Sequence, residues 1–124
     1  MPNSVSQSQP NKQKLLSAYQ TAINLESFPS GKYVSILKMK LGPDEFVTAM
    51  DYIADFSMQA MYSIIPDDVK IRFDELLQEG RDEDVQNLIS ILVASNDDIA
   101  QALDNGLVFA SKVVAKSNNL KLEI

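Results

Sequence analysis

The chain has 124 residues, 45% hydrophobic and 23% charged, with 17 acidic against 11 basic side chains for a net charge of −6. That apolar share supplies a real core, and the length suits one domain of roughly 100–200 residues. Cysteine, histidine and tryptophan are absent, which excludes disulfide scaffolds, thiolate nucleophiles, Cys/His zinc sites and Ser-His-Asp or Cys-His catalysis.

Residues 1–10 are dominated by Ser, Gln, Pro and Asn and carry too little apolar area to offset the entropy of ordering, so a flexible polar tail is expected there. Residues 11–124 are expected to form a single helical domain. Val5 is the one aliphatic residue near the start apart from Met1, so the N-terminus lacks the apolar stretch of a secretory signal. No apolar run approaches the roughly 18 residues that span a bilayer. The expectation is a cytoplasmic protein without a membrane partner.

Leu15, Leu16, Ala18, Tyr19, Ala22, Ile23 and Leu25 recur at helical spacing and predict a first helix to about Ser27, closed by Phe28-Pro29-Ser30-Gly31. Residues 32–41 fit two patterns. Tyr33, Ser35, Leu37, Met39 and Leu41 alternate as in a strand, and Tyr33, Val34, Leu37 and Leu41 also share a helical face. No other segment supplies a partner strand, so helix is favoured. Ser30-Gly31-Lys32 echoes the end of a phosphate-binding loop, but the upstream glycine is missing and Tyr33 stands where Ser or Thr is required, so that motif is rejected.

From Gly42 onward the helix starts are explicit. Gly42-Pro43-Asp44-Glu45 puts proline at the first helical position with acids behind it, and Ile65-Pro66-Asp67-Asp68 is expected to repeat the device. Gly80 closes one helix and Asp82-Glu83-Asp84 opens the next, with Val85, Leu88, Ile89 and Leu92 inward. Ser95-Asn96-Asp97-Asp98 opens the last, with Ile99, Leu103, Leu107, Ala110 and Val114 inward. Gly106 inside that helix costs about 1 kcal/mol relative to alanine and marks close approach of a neighbour. Helical order is expected to fray near Asn118-Asn119, leaving Leu120 to Ile124 alternating like a short strand that either docks or dangles. The predicted fold class is all-α: a compact bundle of five or six helices with short loops.

The charge is uneven: +4 over residues 1–41, −12 over residues 42–104 and +2 over the last twenty. Nine of the seventeen acids fall at four expected helix starts, where the positive helix end stabilises each by roughly 0.3–1 kcal/mol. Capping chemistry is therefore a sufficient account of most of the acidity.

The helix after Pro43 is apolar over about two thirds of its circumference, with Asp51, Tyr62, Asp55, Thr48 and Gln59 on the polar remainder. Such a helix is either central in its bundle or shared with a partner chain. Tyr52, Phe56, Met58 and Tyr62, which flank the polar stripe, are the candidate partner-binding residues. Asp51 and Asp55 share a face, but two exposed carboxylates without histidine are weak metal or acid–base candidates, and no catalytic, metal or cofactor site is assigned. Lys32, Lys38 and Lys40 are the candidate anion contacts, a weak nucleic-acid signal on so acidic a chain.

The functional expectation is a small non-enzymatic protein–protein interaction module, a homodimeric adaptor or regulator working through residues 43–65. The alternative is an acidic regulator of a nucleic-acid-binding protein, acting as a nucleic-acid mimic or through phosphate contacts of the N-terminal lysines. A carboxylate enzyme built on Asp51 and Asp55 is the third possibility.

Overall fold

A computed structural model describes residues 12–122, so the expected tail over residues 1–10 lies outside the described residues. Six helices follow one another: α1 (Lys12–Glu26), α2 (Gly31–Lys40), α3 (Pro43–Tyr62), α4 (Asp67–Gln78), α5 (Asp82–Ser95) and α6 (Asp97–Ser117). No strand occurs among the described residues. The ambiguous segment is helical: Val34 and Leu37 are buried on one face of α2, with Tyr33 and Leu41 half-buried beside them.

The helix ends follow from local chemistry. All nine expected acids lie in first turns: Asp44 and Glu45 in α3, Asp67 and Asp68 in α4, Asp82, Glu83 and Asp84 in α5, Asp97 and Asp98 in α6. Pro43 takes the first helical position, but Pro66 is the cap residue of α4, one place earlier than expected. Its ψ of 155° is extended, so it flanks the helix while its carbonyl accepts from the Lys70 amide at 2.9 Å. The Asn96 side chain caps α6 by accepting from the amides of Asp98 (2.9 Å) and Ile99 (3.2 Å).

Two helices end with a left-handed residue that lets the chain reverse over its own last turn. After α4 the residue is Gly80 (φ 70°), with the Arg81 amide donating to Leu76 O. After α6 it is Asn119 (φ 56°), with the Leu120 amide donating to Ala115 O. The chain therefore turns back, and Leu120 and Leu122 pack against the core.

The core is organised around α3 and α6. Gly106 meets Ser57 and Ala60, and eight residues further along α6 Val114 shares a groove with Ala49, so the two helices run antiparallel. Phe46, Met50, Ile53 and Met61 of α3 and Leu107 of α6 are almost wholly buried along this seam. The expected close approach at Gly106 is real: a Cβ there would lie 3.0 Å from both Ser57 Cα and Ala60 Cβ.

The α1–α2 corner is pinned from two sides. Asp104 of α6 accepts from the Ser30 amide and from Ser30 Oγ, both at 3.0 Å. Glu26 accepts from Ser35 Oγ at 2.7 Å and pairs with Lys38 at 3.1 Å. The Ser35 hydrogen bond, working against partial burial and helped by Lys38, holds the Glu26 carboxyl below the ordinary carboxylate range. A carboxyl depressed in the folded state stabilises the fold above its unfolded value of about 4.3, and that contribution disappears as pH falls through the lower folded value. Urea denaturation should therefore find Glu26→Gln less stable than the parent at neutral pH. The gap should close once both folded and unfolded Glu26 are protonated; a gap unchanged at pH values well below 4 would refute this account.

Candidate interaction surface

Because α6 and α1 both pack on α3, the broad apolar arc of α3 is largely used inside the bundle. One strip remains open. On one side of the α3–α6 seam, Tyr52 and Phe56 of α3 stand beside Phe109 and Val113 of α6. The Phe56 and Phe109 rings are stacked, with centroids 5.1 Å apart and planes 15° from parallel. Tyr52 continues the row with its centroid 5.9 Å from that of Phe56. Phe109 is 55% exposed, Tyr52 38% and Val113 37%, which for three neighbouring large apolar side chains is a surface patch rather than a core edge.

The strip runs into a cleft of about 490 Å³ between the start of α3 and the end of α6, lined by Asp44, Glu45, Thr48, Tyr52, Val113 and Asn118. Its floor is aliphatic and aromatic, and its rim is carboxylate, hydroxyl and amide. Ser117, also in its lining, donates its hydroxyl to the Val114 carbonyl at 3.0 Å. Among the described residues no three carboxylates converge to hold a metal ion. Asp51 and Asp55 are both exposed on α3, and Asp55 is engaged by Gln59 Nε2 at 2.8 Å.

The four partner-binding candidates separate into three environments. Tyr52 and Phe56 belong to the open strip. Met58, on another face of α3, helps line a crevice between α1 and α5 together with Thr21, Asn24 and Gln86. Tyr62 turns toward α4: its ring meets Phe73 edge-on at 5.8 Å, its hydroxyl donates to Asp74 at 2.9 Å, and Lys70 lies 5.4 Å from its centroid. The hydrogen bond to Asp74 raises the Tyr62 phenol above its usual value, as expected where a carboxylate favours the protonated form.

Each of the three anion-contact candidates has its own neighbour. Lys38 is paired with Glu26, Lys40 donates to the Lys121 carbonyl at 3.4 Å, and Lys32 lies 5.7 Å from the centroid of the adjacent Tyr33 ring. Sequence reasoning missed Phe109 and Val113. A second apolar ridge, four residues apart on α6 and displaced from the Leu103–Leu107–Val114 stripe, was the available signal.

No protein-family model matches the chain, and neither a curated protein nor a solved structure matches it. No helix among the described residues is long and apolar enough to cross a membrane.

Proposed function

We propose that this protein is a non-catalytic helical interaction module, an adaptor or regulator that binds protein through the strip formed by Tyr52, Phe56, Phe109 and Val113. The observation that carries it is the exposed Phe109 stacked on the half-buried Phe56, on the two helices that otherwise form the centre of the core. Aromatic rings at the middle of an apolar patch are the side chains whose burial contributes most to association, and a second copy of the chain is the first partner to test. The acidic-regulator alternative has no comparable support, since nine of the acids serve helix starts.

Multi-angle light scattering and sedimentation over a wide concentration range test this role. The parent chain should self-associate. Phe109→Ser should keep its helical signal and melting behaviour while losing about 2 kcal/mol of association free energy, the scale of a central aromatic anchor. A parent chain that stays monomeric at the highest concentration would remove the homodimer, and an unchanged association constant in Phe109→Ser would remove the strip.

A further inference from the structure

The charges on either side of the strip say how a second copy would lie on it. Asp51 and Asp55 immediately precede Tyr52 and Phe56 in the sequence and lie on the edge of α3 that faces away from α6. At 100° per residue Asp55 lies about 60° from Tyr52 and Asp51 about 100°. Lys112 and Lys116 hold the corresponding edge of α6, about 60° and 20° from Phe109 on the side away from α3. Both lysines also border the packed C-terminal residues Leu120 and Leu122, which places them on that outer edge. All four charged side chains are exposed, and none has an ion-pair partner among the described residues. Alongside Tyr52, Phe56, Phe109 and Val113 the strip is thus apolar along its middle, acidic along its α3 border and basic along its α6 border, while Glu45 stands on its line nearer the start of α3.

The antiparallel register aligns these borders along the helices. Gly106 against Ser57 and Ala60, and Val114 against Ala49, set the level. Phe109 is then level with Phe56, Val113 with Tyr52, and Lys112 with the interval between Asp51 and Asp55.

The geometry points to a symmetric dimer whose two-fold axis runs parallel to α3 and α6, so that α3 of one copy lies on α6 of the other. This deepens the interaction role proposed above and rests on it. The operator leaves position along the helices unchanged and exchanges the two edges. Phe56 faces the second copy's Phe109, Tyr52 faces its Val113, and Asp55 receives its Lys112. The perpendicular two-fold would set α3 on α3 and bring carboxylates against carboxylates and lysines against lysines, which like-charge repulsion opposes. The face approaches the size of a standard specific contact. α3 and α6 are 20 and 21 residues long, giving about 30 Å by about 20 Å, or about 600 Å² in projection, against about 800 Å² per partner in a standard interface.

The test is a charge exchange followed by sedimentation equilibrium at low salt, with circular dichroism confirming that each variant is folded. Asp55→Lys alone and Lys112→Asp alone should each weaken dimerisation about tenfold or more, because each places like charges at two symmetric positions. The double variant Asp55→Lys/Lys112→Asp should return to within about threefold of the parent, since both pairs are restored with reversed sign. If the parent chain does not dimerise at all, the self-association role fails and this arrangement with it, and the strip belongs to a different protein. If the parent dimerises but the single variants associate normally, or the double variant stays weak, self-association stands and this arrangement is overturned.

Discussion

Gly106→Leu should destabilise the bundle by about 3 kcal/mol, the upper range for forcing a large side chain into a packed interior. Even a Cβ at this position would lie 3.0 Å from Ser57 Cα, a backbone atom that cannot rotate away. Leucine adds three further carbons beyond that contact, so α3 and α6 must separate or slide. Gly106→Ala is the informative companion. Its gain in helix propensity, about 1 kcal/mol, opposes a contact that needs only a few tenths of an ångström of relief, and the net change should be small. Chemical denaturation of both variants checks the pair. A leucine variant as stable as the parent would mean that the seam is looser than the 3.0 Å approach implies. Because Tyr52 and Phe56 sit on one side of this seam and Phe109 and Val113 on the other, the leucine variant should also shift the register of the open strip and weaken association.

How much of this was legible in the sequence depends on whether the determining physics is local. The acids at the starts of α3, α4, α5 and α6 were legible because an unsatisfied helix end is a property of a few consecutive residues. Gly106 was legible because glycine inside a long amphipathic helix is costly and demands a reason. The binding strip was half legible. A helical wheel places Tyr52 and Phe56 on one side of the polar stripe of α3 and Met58 on the other, with Tyr62 inside the stripe between Asp51 and Asp55. It cannot say which angles neighbouring helices occupy, and here α4 takes the Tyr62 side while the α1–α5 crevice reaches Met58. On α6 the inward stripe was read, but the second ridge at Phe109 and Val113 acquires meaning only when its neighbour across the seam is known. Lys38 joined the anion candidates because its partner Glu26 lies across the α1–α2 turn. The contact from Ser30 to Asp104 joins residues 74 positions apart, and no local pattern announces it.

The α1–α2 corner carries the second large effect. Gly31→Ala should also cost about 3 kcal/mol, although Gly31 opens α2 with no left-handed conformation to require a glycine. Space is the reason. A Cβ there would lie 2.5 Å from the Glu26 carbonyl oxygen and 2.6 Å from its carbonyl carbon, both backbone atoms of the end of α1. Relief requires α2 to move off α1, which strains the neighbouring contacts of Glu26 with Ser35 and Lys38 and of Ser30 with Asp104. Gly80→Ala separates this steric cause from a general intolerance of substitution. Gly80 has φ 70° and nothing within 4 Å of its would-be Cβ, so alanine there meets only the conformational penalty of about 1 kcal/mol. Equilibrium denaturation should therefore rank Gly31→Ala well below Gly80→Ala in stability, and equal losses would show that crowding against Glu26 is not the governing constraint. The corner lies apart from the open strip, so Gly31→Ala, measured where it remains folded, should keep the parent's association constant. Gly106→Leu should not, and that difference separates a general loss of stability from a change at the α3–α6 face itself.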